Sequence, residues 1–154
     1  MNSRFSTAAH ILTLLASMPE ERVTSELIAG SIGTNPVVIR RQLALLREAK
    51  LVTSKGARGG GWELTRGPRE ITLRQVREAL GEEASFRMHR NEPNPNCVVG
   101  QNVRGVLEDV YSDANQAVMR SLDHWTVAGI LDRVQKRESI AAAKKARPRA
   151  RLKR

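Results

Sequence analysis

Apolar positions recur every three or four residues along most of this chain, the spacing that places them on one face of a helix. Ile11, Leu12, Leu14 and Leu15 predict a first helix over Thr7 to Ser17, closed by Met18-Pro19, because a proline disfavours helix in the residue before it. Leu27, Ile28 and Ile32 predict a short second helix, with Thr24 or Ser25 as its cap and Gly33 as its stop. A third begins at Pro36, whose fixed φ and missing N–H suit the first helical position, after the cap candidates Thr34 and Asn35. Its apolar face is Val38, Ile39, Leu43, Leu45, Leu46 and Ala49; Val37, Arg40, Arg41, Ala44, Arg47 and Glu48 lie opposite.

The period then changes. Leu51-Val52-Thr53-Ser54 and Trp62-Glu63-Leu64-Thr65 suit strands, and Lys55 to Gly61 between them suits only a turn, so a β-hairpin is expected. Helical spacing returns over Thr72 to Leu80, where Leu73, Val76, Ala79 and Leu80 point inward and Gly81 stops the helix. Residues 81–96, including Asn91-Glu92-Pro93-Asn94-Pro95-Asn96, carry no sustained period and read as a loop. A long helix follows from Val98 to Asp123, with Val103, Val106, Leu107, Val110, Ala114, Ala117, Val118 and Leu122 as its stripe. At about 1.5 Å per residue it approaches roughly 40 Å, more than a small domain needs for its own core, so the stripe is expected to pair two subunits. A last helix, Thr126 to about Glu138, carries Val127, Ile130, Leu131 and Val134, with Trp125 before it in core or interface.

This order predicts a mainly α fold with a small β-hairpin wing: a winged helix-turn-helix DNA-binding domain at 1–80, a loop or sensor segment at 81–97, a dimerisation helix and return helix at 98–138, and a basic, disordered tail at 139–154. In a helix-turn-helix the second helix enters the major groove and its N-terminal half reaches base edges. The formal charge of +10 and pI near 11.0 favour a polyanionic partner. Seven of the 26 basic residues, and no acid, lie between Ser139 and Arg154, which leaves 19 basic against 16 acidic residues upstream, so the body itself is only modestly basic. No apolar run is long enough to span a bilayer and no signal-like segment opens the chain, so a cytoplasmic, nucleoid-associated protein is expected. One cysteine excludes an intramolecular disulfide framework.

The first 70 residues carry a resemblance. A first helix, a Thr24-Ser25-Glu26-Leu27-Ile28-Ala29 helix, a Thr34-Asn35-Pro36-Val37-Val38-Ile39-Arg40-Arg41 helix, a Leu51-Val52 strand, a Gly56-Ala57-Arg58-Gly59-Gly60-Gly61-Trp62-Glu63-Leu64 wing and Glu70-Ile71-Thr72-Leu73 together resemble the Rrf2 family of bacterial winged-helix transcription regulators. With the segment around Cys97 and Gly100, the resemblance covers about residues 1 to 135. It implies a dimer that binds palindromic operator DNA, usually as a repressor, with Val37, Arg40 and Arg41 in the major groove and Arg58 in or beside the minor groove.

The DNA-facing candidates are Arg4, Thr24, Ser25, Asn35, Pro36, Val37, Arg40, Arg41, Arg47, Lys55, Arg58, Gly59 and Gly60. A guanidinium pairs with guanine O6 and N7 or bridges phosphates, and Val37 suits a thymine methyl; sequence does not assign a job to each arginine. Glycines around Arg58 would let the wing backbone approach the duplex. The dimer-interface candidates are Val103, Val106, Leu107, Val110, Ala114, Val118 and Leu122.

Many members of that family hold an iron-sulfur cluster on three cysteines before the long helix. This chain has only Cys97 there, so it resembles a cluster-free, single-cysteine branch, and neither a cofactor nor a metal site is expected. At a helix start, backbone N–H groups favour a thiolate, which makes Cys97 a sensor candidate. A small ligand, a protein effector or constitutive repression are the other possibilities. His10 is expected to pack or to face solvent without chemistry. The basic tail would add salt-sensitive, sequence-independent affinity, and a non-specific nucleic-acid packaging protein is the alternative function. An enzyme is disfavoured, because Cys97 has no evident base and no phosphate loop or carboxylate pair accompanies it.

Overall fold

A computed structural model describes residues 3–56, 60–81, 86 and 88–146 of the chain. The described elements are α1 (Ser3–Ser17), α2 (Ser25–Ile32), α3 (Pro36–Glu48), β1 (Val52–Ser54), β2 (Trp62–Leu64), α4 (Leu73–Ala79), α5 (Val98–Asp123) and α6 (Val127–Ala146).

Local chemistry explains most of these limits. Thr24 caps α2, its Oγ1 accepting from the Leu27 N–H at 3.2 Å, and Gly33 ends it at φ 74°, a left-handed conformation that costs glycine nothing. Asn35 Oδ1 accepts from the Val37 N–H at 2.8 Å and Pro36 follows, so α3 starts where those two residues place it. A capping box holds α4: Thr72 Oγ1 accepts from the Gln75 N–H at 3.3 Å and Gln75 Oε1 accepts from the Thr72 N–H at 3.0 Å.

The core gathers one face of each short element. Ile11, Leu12, Ile28, Ile39, Leu43, Leu46, Leu51, Ile71 and Val76 are sealed from solvent there, with Val23, Val52 and Val127. The two strands pair antiparallel, Val52 opposite Leu64 and Ser54 opposite Trp62. Val23 extends the ribbon, its carbonyl accepting from the Trp62 N–H at 2.8 Å, and thereby ties the wing to the entry of α2. A Cβ on Gly61 would stand 2.6 Å from the Val23 nitrogen, so only glycine permits that approach. The chain returns after α5: the Leu73 N–H donates to the Trp125 carbonyl at 2.8 Å and the Val127 N–H to the Ile71 carbonyl at 3.0 Å, which seats the start of α6 on the domain.

Several elements differ from expectation. Helix α1 begins at Ser3 rather than Thr7, since the Ser6 and Thr7 hydroxyls both donate to the Ser3 carbonyl and satisfy themselves inside the helix. Helix α6 runs past Glu138 to Ala146, so the first part of the basic segment 139–154 is helical; residues 147–154 lie outside the described residues. On α3 the buried arc is Ile39, Gln42, Leu43 and Leu46; Val38 is 42% exposed and Ala49 is exposed at the C-cap. Leu27 of α2 is likewise exposed, and Ala29 takes a core place beside Ile28. Leu122, assigned from sequence to the pairing stripe, packs against the core of its own chain. Among the described residues, no helix is long and apolar enough to cross a membrane.

Candidate nucleic-acid interface

Helix α3 is fixed from behind and open in front. Ile39, Leu43 and Leu46 anchor it to the core, while Val37, Arg40, Arg41 and Arg47 are exposed on the other side with Glu48 as the acid among them. Gln42 is buried within the anchoring face, and its Oε1 has no hydrogen-bond partner among the described residues. Val37 is 48% exposed at the first turn, where backbone N–H groups point outward and favour anions.

One arginine of the face is held. Arg40 Nη2 donates to Glu26 Oε1 at 2.6 Å, joining α3 to the first turn of α2, and both side chains stay more than half exposed. The Glu26 carboxyl is held below the usual carboxylate range, chiefly by its own backbone N–H and then by Arg40.

The remaining candidates divide. Asn35 and Thr24 spend their side-chain oxygens on capping, and Pro36 is half-buried at the helix start. Ser25 is buried, 7% exposed, which corrects its assignment to the DNA-facing set: it has almost no surface to offer. The Arg4 guanidinium donates to the Leu80 carbonyl at 3.4 Å and so joins α1 to the end of α4. Lys55 Nζ donates to the Pro19 carbonyl at 2.9 Å and lies 3.3 Å from a Glu63 oxygen, which holds the root of the wing against the end of α1. A Cβ on Gly60 would collide with the Lys55 carbonyl, so that glycine serves the closure of the hairpin. Arg58 and Gly59 lie outside the described residues.

The long helix is built differently. Helix α5 has no buried residue along its 26 positions. Val106 is 60% and Val110 53% exposed, whereas Val103, Leu107, Ala114 and Val118 are half-buried. Cys97 is its exposed N-cap residue, with no side-chain capping bond. His10 is exposed and its Nε2 lies 3.1 Å from Ser31 Oγ, and Arg133 stacks 4.1 Å from the Trp125 ring centre.

A helix-turn-helix with a paired hairpin and a long trailing helix is also what comparison with known proteins finds. The profile of the Rrf2 family, described as an iron-dependent transcriptional regulator, matches residues 1–133. The chain belongs to the Rrf2 family. YwnA of Bacillus subtilis (strain 168), provisionally named an HTH-type transcriptional regulator, is 37% identical over 123 residues, 79% of this chain and 90% of its own. A crystal structure provisionally described as that of a DNA-binding protein superposes with TM-score 0.68 at 32% identity, covering 84% of this chain and 99% of its own. The global cysteine regulator CymR of B. subtilis shares the fold, with TM-score 0.65 at 20% identity over 86% of this chain and 95% of its own.

Membership in the Rrf2 family makes the protein a DNA-binding transcription regulator and not an enzyme or a packaging protein. The iron in the family's description does not find a matching donor set: the sequence holds a single thiol, and an iron-sulfur cluster is ordinarily held by several. Among the described residues, no three His, Cys, Asp or Glu side chains gather as a metal-binding group.

Sequence reasoning missed Glu26 and Gln42. Glu26 and Arg40 are 14 residues apart on two helices, so no i,i+4 rule connects them and only the docking of α2 on α3 brings them together. Gln42 had a signal, since it falls three residues after Ile39 and four before Leu46, inside the arc that they define.

Proposed function

We propose that this Rrf2 regulator acts in the cytoplasm, at the nucleoid, as a homodimeric repressor that reads an inverted-repeat operator with two copies of α3. The observation that carries this reading is α5: a helix of 26 residues with no buried position and an exposed Val106 and Val110 is half of an interface. Pairing two α5 helices about a two-fold axis sets two arginine faces against one side of a duplex, with half-sites about one helical turn apart or a multiple of it. Val37, Arg40 and Arg41 read base edges, while Arg47 and the wing, including Arg58, contact phosphate or the neighbouring minor groove. The division at 1–80, 81–97, 98–138 and 139–154 then follows reading, input, pairing and a basic extension, with the last boundary falling inside α6.

The test is selection of bound sequences from a random duplex pool at near-physiological salt, because affinity without a stated salt concentration has no meaning here. An inverted repeat should be enriched, and Arg40→Ala should weaken binding to it by about tenfold or more, the usual range for a lost bidentate base contact. An Arg40→Ala protein that binds the enriched duplex like wild type would remove α3 as the reading surface.

A second reading concerns the signal. Cys97 is exposed at the start of the pairing helix, so its oxidation, or an effector seated beside it, would act on the spacing of the two reading helices. Mild oxidation should release the wild-type protein from the selected duplex and leave Cys97→Ser bound.

A further inference from the structure

Arg40 does not project freely from α3. Its guanidinium is tied on one edge to Glu26, at 2.6 Å, and Glu26 stands on a fixed base. Glu26 lies in the first turn of α2, which Thr24 caps and which the buried Ser25 and Ile28 anchor to the core. Both partners are more than half exposed, and an exposed pair of this kind contributes little to folding. Its consequence falls on whatever approaches the surface of α3.

That consequence is twofold. A guanidinium carries its N–H donors in a rigid planar fork, so holding one edge sets the direction of the other. An acid beside it also offsets part of its charge, which weakens its general attraction for phosphate. An untethered arginine at this position would be free to turn toward any nearby phosphate; one held through Nη2 presents its remaining donors in a narrower range of directions.

We infer that Glu26 determines specificity: by holding one edge of Arg40 it aims the guanidinium at a base edge, restrains it from clamping phosphate, and so selects guanine at one position of each half-site. The inference rests on the reading of α3 as the recognition helix. Guanine is the base whose O6 and N7 acceptors match a guanidinium fork. Glu26 is a positioning residue, since it acts through Arg40, and its carboxylate is a repulsive element against misplaced backbone.

The experiment uses the full chain and two probes, the duplex selected by the wild-type protein and a mixed-sequence duplex of equal length. Glu26→Ala and Glu26→Gln should bind the mixed duplex about three- to tenfold more tightly, with a salt dependence steeper by about one phosphate contact. The ratio between selected and mixed duplex should fall about tenfold, and reselection with either variant should lose guanine at one position per half-site. Glu26→Asp should recover part of that preference. A purely structural role would leave base preference and salt dependence where they were, and that result from both variants, with Arg40→Ala still weakened on the selected duplex, overturns this inference alone. If Arg40→Ala binds the selected duplex like wild type, the reading of α3 fails and the inference with it.

Discussion

The winged domain and the long helix solve the burial problem in opposite ways. Helices α1 to α4 and the hairpin share a sealed core, with Ile11, Leu12, Ile39, Leu43 and Leu46 fully enclosed, and the start of α6 closes it through Val127. Helix α5 leans on the domain through Leu122 but has no fully buried residue, and Val106 and Val110 face outward. Hydrophobic burial is the main favourable contribution to folding, and a long helix without it is marginal in water. The first region is therefore complete as a single chain, whereas the second leaves Val106 and Val110 uncovered, which is what the proposed pairing would bury.

The contrast can be sharpened by breaking each region in turn. Leu43→Ala removes a sealed side chain from the back of α3 and should cost about 2–5 kcal/mol in urea unfolding, with recognition lost as the helix loosens. Val106→Asp with Val110→Asp should do the reverse: far-ultraviolet circular dichroism of the winged domain persists, while affinity for the selected duplex falls about a hundredfold, or roughly 2.7 kcal/mol. Gly33→Ala places a Cβ at φ 74° between α2 and α3 and should cost about 1 kcal/mol, read as a lower urea midpoint with unchanged slope. The smallest effect runs the other way: Lys50 follows α3 at φ 56°, so Lys50→Gly should raise stability by a few tenths of a kcal/mol to about 1 kcal/mol in the same assay.

What the sequence made legible follows the same division. The caps at Thr24 and Asn35 are local chemistry, and α2 and α3 start where those residues put them; Thr72, read from sequence as the first residue of its helix, is the cap of α4. Helix α5 was legible over its whole length because its period is long and uninterrupted. The start of α1 was not, since Ser3, Ser6 and Thr7 read as a polar lead-in until their hydroxyls are seen bonded within the helix. Nor was the continuation of α6 through residues 139–146, where composition signals charge and alanine is equally at home in helix.

The candidate site was legible as a set of residue types and not as an arrangement. Arg40, Arg41 and Val37 could be placed on an open face from spacing alone. That Ser25 is buried and Lys55 is engaged by Pro19 and Glu63 depends on contacts between elements distant in sequence. The partners of Arg40 and Lys55 are set by how distant elements dock, unlike the i,i+4 pairs Arg74–Glu78 and Arg104–Glu108, which spacing alone announces.

Sedimentation of the wild-type protein beside the Val106→Asp, Val110→Asp variant tests the pairing of two α5 helices most directly. The expected result is a wild-type mass twice the 17.1 kDa of one chain, and a variant that sediments as one chain and no longer holds the full inverted repeat. A wild-type protein that sediments at the mass of one chain while binding the selected duplex with full affinity would contradict it.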